Sequence, residues 1–284
     1  MSGTPETTGL AASVAKAPRI FAVVNQKGGV GKTTTTVNLA TALAAVHKRV
    51  LLIDMDPQGN ASTGLGIAKQ QRVVTSYQVL MGEDEIGGAL ISTNVPGLQL
   101  VAASVELAGA EIELVAEERR EYRLRDALAR LNTVYDYVLI DCPPSLGLLT
   151  LNAMVAANAV LVPLQCEFYA LEGLSHLVRT IDRVKKHLNP SLDIQGVVLT
   201  MFDRRSNLCD LVATDVRSYF GPKVYNTVIP RNVKISEAPS HGKPVLLYDW
   251  RCAGSAAYLH LASEVLHRER DPSPITPLGR NSEA

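Results

Sequence analysis

Asn25-Gln26-Lys27-Gly28-Gly29-Val30-Gly31-Lys32-Thr33-Thr34 is the stretch on which the reading of this chain turns. It follows an apolar run, Ile20 to Val24, with the composition of a buried strand. It precedes Thr34 to Val46, where Val37, Leu39, Ala40, Leu43 and Val46 recur at helical spacing. Strand, glycine-rich turn and helix, in that order, is the context in which a loop cradles phosphates. Glycines let the backbone approach an anion closely, and the first N–H groups of the helix point at it. Lys32 is then placed to reach the β- and γ-phosphates, and the Thr33 hydroxyl to ligate Mg²⁺. The loop departs from G-x-x-x-x-G-K-[ST] at its first position, which is Gln26, and opens with an additional lysine, Lys27. These residues predict a nucleoside-triphosphate site, against the alternative of a glycine turn with two solvated lysines.

Downstream carboxylates favour the first reading. Arg49 to Asp54 reads as a second buried strand ending on Asp54, with Asp56 two residues on, and Tyr137 to Asp141 as another ending on Asp141. In open α/β sheets ligands sit beyond the carboxyl ends of the strands, so these acids are expected to face the nucleotide. Asp141 fits a carboxylate that holds Mg²⁺ through water, and Asp54 or Asp56 a carboxylate that orients the attacking water. No Gln or Glu in the Asp54–Asp56 segment competes for that role, which suggests slow hydrolysis, suited to a switch.

The rest of the chain alternates. Helices are expected at Thr75 to Met81, Glu85 to Ser92, much of Ser104 to Asn132, Leu208 to Phe220 and Gly254 to Arg268. Strands are expected at Leu98 to Ala102, Ala159 to Pro163, Ile194 to Met201 and Val224 to Ile229. Between Leu171 and Leu188, seven apolar residues including Leu174, Leu177 and Ile181 form one helical stripe, which reads as core. Alternating strands and helices predict a single doubly wound α/β domain over residues 19–269 with a mainly parallel sheet, between a polar tail (1–18) expected to be disordered and a proline-rich tail (270–284) expected to be flexible.

Composition narrows the function classes. Lys and Arg total 28 and Asp and Glu 28, so net charge indicates no polyanion partner. The distribution is uneven: eight Lys/Arg face five Asp/Glu from Met201 to Arg251, and seven acids face four bases from Val101 to Asp126. The four cysteines lie far apart with no C-x-x-C pair, which argues against a zinc site of the usual spacing and against a disulfide framework. No apolar run is long enough to span a membrane, and no h-region precedes the small residues near Ala15, so a cytoplasmic location is expected.

Three segments together resemble the ParA/MinD ATPases with a deviant Walker A loop. They are Lys27-Gly-Gly-Val-Gly-Lys32-Thr, Leu51-Leu-Ile-Asp54-Met-Asp56-Pro-Gln-Gly-Asn60 and Val138-Leu-Ile-Asp141-Cys-Pro-Pro-Ser145. Val228-Ile-Pro230-Arg-Asn232-Val, Ser236-Glu-Ala-Pro-Ser240 and His241-Gly-Lys-Pro244 are similar to the chromosomal, Soj-type ParA branch. The resemblance runs from about Ile20 to Leu266 and implies a P-loop NTPase fold using ATP and Mg²⁺. It implies that Lys27 reaches a partner's phosphates in a nucleotide-sandwich dimer and that Lys27, Lys32 and Asp56 serve hydrolysis. Nucleotide contacts fall on Lys27, Gly28, Gly29, Val30, Gly31, Lys32, Thr33 and Thr34, with Pro230 and Asn232 against adenine. Thr33, Asp54 and, through water, Asp141 fall near Mg²⁺. It further implies that the ATP dimer binds DNA without sequence preference, that a ParB-type centromere-binding protein stimulates hydrolysis, and that the outcome is segregation of chromosome or plasmid copies on the nucleoid. Arg204 and Arg205 align with a basic position implicated in DNA binding, and Arg217, Lys223, Lys234 and Lys243 are further candidates.

Three other functions compete. A MinD-like membrane switch needs a basic amphipathic helix near the end of the chain, where this sequence has Asp271-Pro-Ser-Pro-Ile-Thr-Pro. An iron–sulfur electron donor would use cysteines at a dimer interface, and Cys142 is instead expected as a structural thiol. A nucleotide-gated DNA-binding scaffold without hydrolysis shares all these motifs.

Overall fold

Apolar residues fill every position of runs such as Val50–Ile53 because both faces of a parallel sheet are covered. A computed structural model describes residues 17–270, so the expected tails at 1–18 and 270–284 lie outside the described residues except for their innermost positions. In chain order the elements are β1 (Arg19–Val23), α1 (Lys32–Ala45), β2 (Val50–Asp54), α2 (Asn60–Gly64), α3 (Ser76–Met81), β3 (Leu90–Ser92), β4 (Leu98–Val101), α4 (Leu107–Glu113) and α5 (Arg123–Leu128). There follow β5 (Tyr137–Asp141), α6 (Leu148–Ala156), β6 (Ala159–Gln165), α7 (Ala170–His187), β7 (Asp193–Thr200), α8 (Asn207–Phe220), α9 (Val233–Glu237), α10 (Val245–Tyr248) and α11 (Ala253–Arg270).

The strands form one sheet in the order β3-β4-β2-β5-β1-β6-β7, parallel throughout except for the β3–β4 edge pair. Alternate strand residues serve opposite cores. Phe21, Val23 and Leu52 pack with Leu39 and Leu43 of α1 and Leu261 of α11. Ala22, Leu51 and Ile53 pack with Leu149 of α6 and Leu174 and Leu177 of α7. The result is a three-layer α/β domain of the doubly wound kind. β1 lies between β5 and β6, and Asp54 pairs in register with Asp141 across β2 and β5. Three motif-bearing loops therefore emerge side by side at the carboxyl ends of the strands.

Four segments differ from expectation. Glu85 to Ser92 is a single 3₁₀ turn (Ile86–Ala89) and then the antiparallel strand β3, because Gly87 and Gly88 disfavour a continuing helix. The helical stretch from Ser104 to Asn132 is divided into α4 and α5 by a break at which Arg119 takes a left-handed φ of 56°. Val224 to Ile229 is not a strand. Tyr225 and Ile229 donate to Val197 and Leu199 of β7, but the intervening N–H groups of Asn226 and Thr227 turn away to the Glu264 carboxylate on α11, at 2.9 and 3.0 Å. Finally, α6 was not expected: it is apolar nearly all round and mostly buried, so it shows no amphipathic stripe.

Candidate active site

The glycine-rich loop is fixed from three sides. Asn25 Nδ2 donates to the Pro163 carbonyl (2.8 Å) and its Oδ1 accepts from the Lys27 N–H (3.0 Å), while Thr200 Oγ1 donates to the Val30 carbonyl (2.8 Å). Gly29 and Gly31 adopt φ of 75° and 86°, a conformation that strains any residue with a Cβ. Gly31 is also the N-cap of α1 and supplies no side-chain acceptor, so the first-turn N–H groups keep their affinity for an anion. Lys32 is 6% exposed and folds back so that Nζ donates to the Lys27 carbonyl at 3.0 Å. Burial pushes its pKa down, and the negative charges of Asp141 and Asp56 oppose that shift. A phosphate placed here would meet a cation already held over the loop. Lys27 extends outward instead, its Nζ 2.9 Å from Glu167 Oε1 in the loop after β6.

The carboxylates divide by their partners. Asp54 is fully buried; Oδ2 accepts from the Ser62 N–H (2.9 Å) and hydroxyl (2.7 Å), and Oδ1 from the Asp56 N–H (3.2 Å). Both of its oxygens are engaged in holding α2 and the Asp56 turn. Asp56 accepts from the Gln58 N–H at 2.9 Å and is 6% exposed, with Gly59 closing the turn by a bond to the Asp56 carbonyl. Asp141 is also fully buried, and Thr36 donates to its Oδ1 at 3.0 Å. Its Oδ2 has no hydrogen-bond partner among the described residues. Burial, then the neighbouring Asp54 charge, raises the Asp141 pKa, while the Thr33 and Thr36 hydroxyls pull it down. A buried carboxylate oxygen without a partner is costly. A divalent cation beside Thr33 and Asp141 would satisfy that oxygen and restore the charged form, so the residues present fit a metal.

The remaining site candidates fall into separate neighbourhoods. Pro230 lines a cleft of about 890 Å³ with Phe202, Arg204, Arg205, Arg231 and His260. Asn232 caps α9, accepting from the Lys234 N–H at 2.9 Å. Arg205 forms a two-armed pair with Asp203, at 3.0 and 2.9 Å, yet its side chain is 89% exposed. Lys234 pairs with Glu237 at 3.0 Å beside the Tyr248 ring. Lys243 lines a different cleft, of about 280 Å³, against Thr33, Thr34 and Asn38. Lys223 is set apart from all of these. It is nearly buried, paired at 3.0 Å with Asp193 at the amino end of β7, whereas Arg204 and Arg205 follow its carboxyl end. Arg217, in the last turn of α8, lies toward the same far end.

Sequence reasoning missed Asn25, Thr36, Ser62, Glu167 and Thr200. The run Thr33–Thr36 carried a signal for one of them: consecutive threonines are poor helix formers, and their presence at a helix start is explained by the hydroxyls they supply. Ser62, eight residues beyond Asp54, had none.

Comparison with known proteins agrees with this geometry. A family profile described as an AAA domain matches residues 18–194. The chromosome partitioning protein ParA of Caulobacter vibrioides (strain NA1000 / CB15N) is 66% identical over 255 residues, which cover 89% of this chain and 96% of that protein. The sporulation initiation inhibitor protein Soj of Bacillus subtilis (strain 168) is 56% identical over 247 residues, 87% of this chain and 98% of that protein. Among solved structures, cobyrinic acid a,c-diamide synthase from Mycobacterium smegmatis with bound ATP analog and magnesium has a TM-score of 0.80 at 38% identity, covering 91% of this chain and 98% of that one. With strand order, loop and carboxylates matching its three motifs, the chain belongs to the ParA/Soj family of chromosome-partitioning ATPases.

Proposed function

We propose that this chain is an ATP-hydrolysing switch for DNA segregation. In this reading the ATP-bound form is a sandwich dimer that binds DNA without sequence preference, and a ParB-type partner stimulates hydrolysis and releases it. The observation that carries the nucleotide chemistry is the unpartnered, buried Asp141 Oδ2 beside the Lys32–Thr33 loop. Residues Gly28 to Thr34 wrap the phosphates with backbone N–H groups, and Lys32 neutralises the oxygens on which charge builds as the terminal phosphate leaves. Thr33 and, through water, Asp141 would hold Mg²⁺, which would supply positive charge to offset that of the β- and γ-phosphates. Asp56 orients the water that attacks the γ-phosphorus; the bond to the bridging oxygen breaks, giving ADP and phosphate. Asp54 fixes the Asp56 turn through its bond to the Asp56 N–H. Pro230 and Asn232 lie against adenine, and Lys27 leaves Glu167 to reach the partner's phosphates. That transfer makes dimerisation depend on ATP.

Arg204, Arg205 and Lys234 supply the cationic surface for DNA, doubled in the dimer. Such a protein acts in the cytoplasm on the nucleoid. The domain is expected to act as one unit over residues 19–269.

The test is binding to a random-sequence duplex with ATP, ADP or no nucleotide over a salt series. Non-specific affinity near physiological salt is roughly 10⁻⁴–10⁻⁶ M, so micromolar protein is sufficient. Binding confined to the ATP state and fading with salt is expected. An ATP-dependent dimer that binds no DNA at any salt would overturn the segregation reading.

A further inference from the structure

Ion pairing in the stretch 101–126 is one-sided. Arg119 and Arg125 share Asp126, Arg120 pairs with Glu121 and Arg123 with Glu117, which engages every arginine of the stretch. Glu106, Glu111 and Glu113, on or beside α4, have no cationic partner among the described residues. Glu113 accepts the Tyr77 hydroxyl at 2.8 Å, and the Ser104 hydroxyl holds Glu106 below the ordinary carboxylate range.

α4 buries Leu107 and Ala110 against the core, with Leu114 just beyond its end. On the opposite side stand Ile112 of α4, Val105 just before it and Val115 in the 3₁₀ turn that follows it, exposed by 77%, 72% and 59%. With 3.6 residues per turn these three fall on one stripe; Glu106 and Glu113 border it on one side and Glu111 on the other. Single apolar residues in water are ordinary, but a stripe of them framed by uncompensated carboxylates has the composition of a binding face.

The same segment reaches the active site through short contacts. Glu111 Oε1 accepts from the Leu149 N–H at the start of α6, and any side chain at Gly147 would collide with that carboxylate. Thr150 Oγ1 donates to the Ser145 carbonyl at 2.7 Å, and the adjoining Pro144 stands near enough to Gly28 of the phosphate loop that a Cβ added there would reach it at 3.9 Å. Asn152 ties α6 back to the Arg120 carbonyl and the Leu124 N–H.

We propose that this face of α4 docks a basic, amphipathic segment of the hydrolysis-stimulating partner, with apolar side chains on Ile112 and cations on Glu106 and Glu113; this rests on the function proposed above. Docking bears on Glu111, and the contacts through α6 carry the change to the loop after Asp141.

The test uses the full chain with ATP, random-sequence DNA and purified ParB-type protein. Ile112→Asp, and separately Glu106→Arg with Glu113→Arg, are expected to lower partner-stimulated turnover at sub-saturating partner about tenfold, as for loss of a contact hot spot. Basal turnover and ATP-dependent DNA binding are expected to stay at wild-type levels. A photoreactive benzoylphenylalanine at position 112 is expected to cross-link a lysine- or arginine-rich segment of the partner. Wild-type stimulation in both variants, or a cross-link to a second copy of this chain, would overturn the docking face. Failure of the partner to stimulate the wild-type chain would instead overturn the function on which it rests.

Discussion

The floor of the nucleotide cleft and the basic surface beyond β7 carry similar side chains in opposite surroundings. In the cleft, Lys32, Asp54 and Asp141 are shut away from solvent and held by hydrogen bonds, Lys32 to the Lys27 carbonyl, Asp54 from Ser62 and the Asp56 N–H, and Asp141 from Thr36. On the surface, Arg205 and Lys234 are each held by one neighbouring acid, Arg205 standing almost wholly in water and Lys234 half-exposed. A buried charge without partners costs several kcal/mol, roughly, so its surroundings are over-determined, whereas exposed pairs contribute about 0–1 kcal/mol and are easily exchanged. The nucleotide chemistry is therefore located by burial and the proposed DNA contact by exposure, and charge alone identifies neither.

The largest effect expected from breaking this contrast is at Lys32. Lys32→Ala should weaken ATP binding about 100-fold by calorimetry, through loss of charge-assisted hydrogen bonds to phosphate. A change of only a few-fold would mean that the loop backbone suffices.

Asp141→Asn sharpens the contrast by separating stability from chemistry. Because burial raises the Asp141 pKa, the native state holds a proton that the unfolded chain releases, so the nucleotide-free protein loses stability as pH climbs above the ordinary carboxylate range. Replacing the acid removes its share of that slope, while Asp54, also raised by burial, keeps its own. Melting temperatures should favour the variant by an amount that grows from pH 5 to pH 8, about 1 kcal/mol or more, while turnover is lost. Equal melting at all pH values would show that the native carboxylate is not strained.

Arg205→Glu and Lys223→Ala compare the two kinds of cation directly. The first should weaken DNA binding and reduce the salt slope by roughly 1 per protomer, with stability unchanged. The second should leave DNA affinity alone and cost about 1 kcal/mol of stability through loss of its pair with Asp193. DNA defects of equal size would erase the distinction. The smallest effect is at Glu167. Glu167→Gln frees Lys27 and should lower the ATP concentration for half-dimerisation about twofold, read by light scattering, in keeping with a half-exposed pair.

The legibility of the sequence follows the same division. β1, β2 and β5 were readable to within a residue because double-sided burial demands unbroken apolar runs, and the loop because positive φ demands glycine. Asp141 was readable as the polar end of such a run. The engagement of Asp54 by Ser62 was not, since a hydroxyl eight residues away leaves no periodic trace. Nor was the rejection of Val224–Ile229 from the sheet, which depends on Glu264, some forty residues later, outcompeting the ladder for two N–H groups. The burial of Lys223 beside Asp193 was not legible either, because sequence does not distinguish the two ends of β7.

That rejected segment has a consequence for how the chain survives crowding. Tyr225 and Ile229 occupy carbonyls on the outer side of β7, and the opposite margin of the sheet is a strand of three residues running against the grain. Neither margin presents a long row of free backbone groups on which another chain could crystallise as added β-structure. Molecules gathered at high local density therefore offer one another little edge on which to add β-structure.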